Sequence, residues 1–151
     1  MTTLKVGDKA PEFEAIDQNG NAHNLSVYAG KKLVVYFYPK DNTPGCTQQA
    51  CNLRDNYADL QAKGYAILGV SMDNAASHNK FIEKYTLPFP LLADTERKVI
   101  DAFGVWGPKK FMGKEYDGIH RTTFVIDETG TITHIFDKPK TKEHGIEILD
   151  L

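Results

Sequence analysis

Apolar residues recur along the chain with two periods, and each change of period marks an element. Glu12–Asp17 and Ala22–Leu25 flank Asn19-Gly20, a pair suited to the left-handed backbone of a tight hairpin. Leu33–Tyr38 is an unbroken apolar, β-branched and aromatic run, the pattern of a strand covered on both faces, and Pro39 ends it. Thr43-Pro44 then offers a helix N-cap followed by proline at the first helical position. From there Cys46, Ala50, Leu53, Tyr57 and Leu60 recur at steps of three and four, which predicts one helix ending near Gly64. Tyr65–Ser71 reads as a second buried strand, and Ala75–Tyr85 as a helix with His78, Phe81, Ile82 and Tyr85 on one side. Pro88 and Pro90 force an extended segment ahead of Leu91–Ala93. A short helix over Glu96–Phe103 precedes an irregular loop, Gly104–His120. Thr122–Ile126 and Thr131–Phe136 bracket the turn Glu128-Thr129-Gly130, and a last helix falls near Lys142–Leu149.

Strand, helix, strand, helix, then a hairpin and a helix is the order of a thioredoxin-like α/β sandwich, a central mixed sheet flanked by helices. No repeat, linker or low-complexity tract interrupts it, so one domain over residues 1–151 is expected. Composition changes this picture only by exclusion. With 18 Lys+Arg against 20 Asp+Glu, the net charge is −2, and there is no basic surplus of the kind that neutralises nucleic-acid phosphates. The longest apolar stretch, Leu33–Tyr38, is six residues, far short of a membrane span, and the first residues lack a signal-peptide core. A cytoplasmic protein is expected, with neither nucleic acid nor membrane as partner. Two cysteines are too few for a disulfide scaffold, so the close pair Cys46 and Cys51 needs another explanation.

The chemistry concentrates in Tyr38-Pro39-Lys40-Asp41-Asn42-Thr43-Pro44-Gly45-Cys46-Thr47-Gln48-Gln49-Ala50-Cys51. This places a thiol in the first turn of a helix, where unpaired N–H groups and the helix dipole favour an anion. Lowering a thiol's pKa by two to three units takes roughly 3–4 kcal/mol, and a helix terminus supplies about 0.3–2 kcal/mol of that. A nearby Arg would supply the rest through charge and a hydrogen bond. A plainer reading stands beside this one: Cys46 continues the apolar stripe of its helix, and buried free cysteines are common packing residues.

Pro39, Thr43 and Cys46 stand at the spacing of the Pro-x-x-x-Thr-x-x-Cys motif, so the chain resembles the peroxiredoxins. Its Cys-x-x-x-x-Cys pair is similar to that of the bacterioferritin comigratory protein, or peroxiredoxin Q, branch. The likeness extends through Val6–Pro11, Phe103–Trp106 and Arg121–Asp127. It implies that Cys46 attacks the peroxide and that Cys51 resolves the resulting sulfenic acid as an intramolecular disulfide. It also implies that Thr43 and Arg121 bind the peroxide oxygens and the thiolate, with Pro39 shielding the sulfur. Gln49 departs from the Glu that many members carry, which puts the support of Arg121 in question. Each assignment has a structural alternative: N-capping for Thr43, strand termination for Pro39 and a surface salt bridge for Arg121.

The resemblance further implies a cofactor-free peroxidase acting on hydrogen peroxide and organic hydroperoxides and recycled by thioredoxin or a similar dithiol protein. An intramolecular resolving thiol points to a monomer. Two rivals remain, a thiol–disulfide oxidoreductase and a non-enzymatic redox sensor or binding module. Other chemistries fade. The five histidines are scattered singly, without zinc-ligand spacing. Gly107 to Gly113-Lys114 is one residue too long for a phosphate-binding loop. Asp94/Glu96 and Asp127/Glu128 read as solvated turn residues, and Phe103, Trp106 and Phe111 either wall a substrate mouth or pack the loop down. One geometric expectation concerns the cysteines. On a continuous helix, residues five apart have Cα atoms roughly 8.6 Å apart, beyond the ~7 Å limit for a disulfide, so the bond requires the first turns to unwind.

Overall fold

A computed structural model of the chain describes residues 2–151. The first hairpin pairs β1 (Glu14–Ile16) with β2 (Ala22–Asn24), and Gly20 supplies the positive φ its loop requires. The apolar runs become β3 (Lys32–Phe37) and β4 (Tyr65–Ser71), joined in parallel by the crossover through α1 (Pro44–Asp55) and α2 (Tyr57–Ala62). α3 (Ala75–Tyr85) leads to β5 (Leu91–Ala93), parallel to β4 at one edge. α4 (Lys98–Ala102) precedes a two-stranded ribbon, β6 (Trp106–Phe111) and β7 (Lys114–Ile119). β8 (Thr122–Ile126) then returns antiparallel to β3, β9 (Ile132–Phe136) follows it, and α5 (His144–Leu149) closes the chain.

The central sheet therefore has the order β5-β4-β3-β8-β9, mixed in direction, with β3 in the middle. Side chains alternate along β3, so Leu33, Val35 and Phe37 enter one core and Val34 and Tyr36 the other. The second core contains Cys46, Ala50, Leu53 and Leu60, so the stripe read from the sequence is the face that α1 and α2 bury. That burial pins the start of α1 just past the C-terminal end of β3.

Three expectations need correction. The helix predicted from Cys46 to Gly64 is two helices, broken at Asn56. There the Asn56 side-chain amide donates to the Asn52 carbonyl at 2.9 Å, and Gly145 packs so closely that a Cβ would stand 2.9 Å from that oxygen. The segment 104–120 is not irregular but forms the β6–β7 ribbon, turned through Met112 and Gly113, both at positive φ. Its pattern was hidden because Lys109–Gly118 bury no continuous face and Pro108 lies within a strand. Finally, Asp94 is not solvated: it is buried at the start of α4, where its carboxylate accepts from the Ile100 N–H at 2.8 Å. Arg97, at φ 60°, delays that helix to Lys98.

Candidate active site

α1 begins as the sequence predicts, with Thr43 extended at the N-cap and Pro44 in the first helical position. The Thr43 hydroxyl does not cap the helix; it donates back to the Lys40 carbonyl at 2.9 Å, which leaves its lone pairs open. Cys46 sits in the first turn and is 2% exposed, packed among Tyr36, Tyr38, Ala50 and Val125. Arg121, in the short link from β7 to β8, reaches across to this turn. Its Nη2 donates to the Cys46 Sγ at 3.4 Å and its Nη1 to the Gln49 Oε1 at 2.6 Å. Gly45 leaves room for the approach: a Cβ there would stand 3.3 Å from Arg121 Nη2, and the guanidinium would have to give by a few tenths of an ångström. Sequence-distant Arg121 is thus brought onto the thiol, and the surface-salt-bridge reading does not describe it.

The amide of Gln49 answers the doubt about its replacement of Glu: the neutral carbonyl oxygen still accepts from Arg121. Being uncharged, it leaves the guanidinium's positive charge uncompensated, available to a thiolate. Its Nε2, like the Tyr36 hydroxyl, is buried without a hydrogen-bond partner among the described residues. Burial pushes the Tyr36 hydroxyl's pKa up, and the charge of a Cys46 thiolate adds to the rise. Cys51 is half-buried on the same unbroken helix, and both thiols are free. Pro39 is half-buried two residues beyond β3.

The loop leading into α1 is held by a second polar cluster. The buried Asp41 carboxylate accepts from the Tyr38 hydroxyl and from the Ser77 hydroxyl at 2.8 Å, and it faces His78 Nδ1 at 2.7 Å. The other His78 nitrogen faces the Leu92 carbonyl at 2.9 Å, and the Asp41 N–H donates to Asp73. Ligand atoms of Asp41, Asp73 and His78 lie within 4.8 Å of one another, but each is already engaged in this network, which fits an anchor for the loop. Sequence reading missed it because the partners are 37 residues apart.

Lys109 was missed as well. Its stem crosses Gly118, where a Cβ would stand 3.1 Å from its Cδ, and its Nζ donates to the Ile119 carbonyl at 2.9 Å. Of the aromatics the sequence offers for a substrate mouth, Phe103 is core, Trp106 lies under the Arg97 guanidinium at 4.3 Å, and Phe111 is exposed.

The chain matches the AhpC/TSA family over residues 6–135. It is 50% identical to peroxiredoxin Bcp of Escherichia coli, over 99% of this chain and 96% of that protein. It is 48% identical to peroxiredoxin Bcp of Bacillus subtilis, over 97% and 94%. The structure superposes on that of the Xanthomonas campestris bacterioferritin comigratory protein with a TM-score of 0.87, at 32% identity, covering 99% of this chain and 96% of that one. With a buried thiol at a helix N-terminus under an arginine, and these likenesses over nearly its full length, the chain belongs to the AhpC/TSA family, in its Bcp/peroxiredoxin Q branch of thiol-dependent peroxidases.

Proposed function

We propose that Cys46 is the peroxidatic cysteine of this peroxidase and Cys51 its resolving cysteine, within a single domain spanning residues 1–151. The observation that carries the assignment is the 3.4 Å hydrogen bond from Arg121 to the Cys46 sulfur at the start of α1. The Cys46 thiolate attacks one peroxide oxygen; the S–O bond forms, the O–O bond breaks, and the leaving alkoxide or hydroxide takes a proton from water. Thr43 accepts the hydrogen of the bound peroxide through the lone pairs its bond to Lys40 leaves open. Arg121 donates to the oxygens on which charge develops. Pro39, two residues beyond β3, shields the sulfur from water.

The Cys51 sulfur then attacks the Cys46 sulfenic sulfur, water leaves, and a disulfide forms. Because α1 runs unbroken through both cysteines, its first turns must unwind for this step. A dithiol protein such as thioredoxin returns two electrons and resets the cycle, and no metal or organic cofactor takes part. The reading includes organic hydroperoxides, since the Xanthomonas campestris relative is described as reducing alkyl peroxides. It further places the protein in the cytoplasm as a monomer.

The test is NADPH oxidation coupled through thioredoxin reductase and thioredoxin to hydrogen peroxide. The wild-type chain should consume peroxide without any added disulfide substrate. Cys46→Ser should abolish turnover, because a hydroxyl at neutral pH is not the required nucleophile. Cys51→Ser should permit one oxidation and then stop. Near-normal turnover by Cys46→Ser rejects the assignment. Turnover only with a disulfide substrate favours the oxidoreductase reading, and a partner bound in one redox state without turnover favours the sensor.

A further inference from the structure

The loop that carries Thr43 turns through Asn42, an exposed residue in the left-handed backbone region at φ 59°. Residues with a Cβ adopt that conformation only at a cost, and asparagine bears it better than most. The side chain that meets Asn42 comes from α3, where the Tyr85 hydroxyl donates to the Asn42 Oδ1 at 3.1 Å. Tyr85 is the last residue of α3 and is itself fixed from three directions. Its ring packs edge-on against the buried Phe81, with centroids 5.6 Å apart, and the Lys84 ammonium lies over it at 5.4 Å. Its carbonyl accepts from Nη1 of Arg54, in the last turn of α1, at 2.6 Å. One residue of α3 is therefore bonded both to the chain just ahead of α1 and to the far end of that helix.

We propose that Tyr85 is a positioning residue for the peroxide step: its hydroxyl holds Asn42 in the left-handed conformation that sets the Thr43 hydroxyl beside the first turn of α1. The proposal rests on the reading of Cys46 as the nucleophile and Thr43 as the acceptor of the peroxide hydrogen. Three consecutive residues lead into the helix, and each is held differently. Asp41 is bonded to Ser77 and His78 at the start of α3, and Asn42 to Tyr85 at its end. Thr43 has its hydroxyl on the Lys40 carbonyl, inside the same loop. Asn42 lies between those two groups in the chain, so a change in its backbone moves one against the other. The Thr43 hydroxyl then loses the orientation that leaves its lone pairs open to a peroxide. Because Arg54 fixes the Tyr85 carbonyl, the reference point for Thr43 is α1 itself, the helix that carries Cys46. Tyr85 touches neither Thr43 nor the sulfur by hydrogen bond; it acts through Asn42.

The test is stopped-flow oxidation of Cys46 by hydrogen peroxide in a Cys51→Ser background, with the ultraviolet thiolate absorbance titrated in the same samples. Tyr85→Phe keeps the ring against Phe81 and removes only the hydroxyl. The second-order rate constant should fall by about threefold, within the range a single neutral hydrogen bond supports. The pH at which the thiolate absorbance appears should not move, because the Arg121 contact to the sulfur is untouched. Glycine takes positive φ without a partner, so adding Asn42→Gly to Tyr85→Phe should restore most of the lost rate. Asn42→Ala loses the acceptor and strains the backbone, so it should slow the reaction at least as much as Tyr85→Phe. Tyr85→Phe added to Asn42→Ala should change nothing further, since both remove one interaction. An unchanged rate constant in Tyr85→Phe overturns the proposal. So does a loss that Asn42→Gly leaves unrestored, a further loss on top of Asn42→Ala, or a fall in rate accompanied by a moved thiolate titration. Thr43→Val reacting as fast as the parent would instead remove the reading beneath it.

Discussion

Asp41 and Cys46 stand five residues apart in the chain, and each sits at the centre of a buried polar network. Around Asp41, both carboxylate oxygens, both His78 ring nitrogens and the backbone N–H all meet partners. Around Cys46, one guanidinium serves both the sulfur and Gln49, while the Gln49 Nε2 and the Tyr36 hydroxyl are left over. A buried donor or acceptor without a partner costs about 1–3 kcal/mol. The contrast divides the labour: the saturated network fixes the loop that aims α1, and the other gathers its polar groups around the first turns of α1.

The largest effect should come from breaking the saturated side. Asp41→Ala leaves His78, fully buried, opposite an empty space and strips the Tyr38 and Ser77 hydroxyls of their acceptor. Each buried donor left without its acceptor typically costs about 1–3 kcal/mol. Urea denaturation followed by circular dichroism should show the loss as a lowered midpoint. A cost within 1 kcal/mol, on the order of an exposed pair, would place Asp41 outside the frame.

Oxidation tests the other side without any substitution. Once the Cys46–Cys51 disulfide is formed and proven by mass spectrometry, hydrogen exchange should show the amides of residues 45–51 deprotected. Those of α3, which carries His78, should keep their protection, because the Asp41 network takes no part in the redox step. Oxidised protein with residues 45–51 still protected would mean the helix accommodates the bond some other way.

Replacing Arg121 by Met keeps much of its volume and removes the charge that both the sulfur and Gln49 use. Reaction with hydrogen peroxide at neutral pH, followed by stopped flow, should slow by about tenfold or more. The ultraviolet thiolate absorbance should appear at higher pH. A rate unchanged within twofold would make the guanidinium structural.

These two networks were not equally legible in the sequence. Thr43, Cys46 and Cys51 could be named because they carry a spacing, Arg121 because its segment resembles a family's, and the apolar stripe from Cys46 to Leu60 placed the thiol on a buried face. The runs Tyr65–Ser71, Ala75–Tyr85 and Leu91–Ala93 matched the observed elements because each is long, or bounded by proline, and buried by the sheet or against it. Asp41–His78 leaves no local trace, since its register is decided by how α3 packs on the sheet. The β6–β7 ribbon was invisible for the opposite reason: it buries almost nothing, so no hydrophobic period records it, and Lys109 went with it. The break at Asn56 also depends on a distant residue, Gly145, pressed against the chain there. What the sequence conceals in this molecule is contact made after folding rather than propensity.

The smallest effect concerns a third polar pair, outside both hydrogen-bond networks, and sharpens the same distinction. His144 is buried on α5, where its Nδ1 meets the Glu147 carboxylate at 2.9 Å and its Nε2 the Thr123 hydroxyl at 2.8 Å. A carboxylate acceptor and a hydroxyl that can donate satisfy the neutral ring with its proton on Nδ1, so the site is saturated without a charge. Burial lowers the His144 pKa, and Glu147 opposes that only in part. The unfolded chain therefore binds this proton more readily than the folded one. Stability should be insensitive to this group above its unfolded value, about 6.5, and should decline as pH falls below it. One proton limits the slope to about 1.4 kcal/mol per pH unit. Urea midpoints measured across that range for wild type and His144→Gln should diverge, with the variant, which has no proton to take up there, showing the flatter profile. Parallel profiles would mean that the ring is protonated in the folded state, and that Glu147 rather than burial governs it.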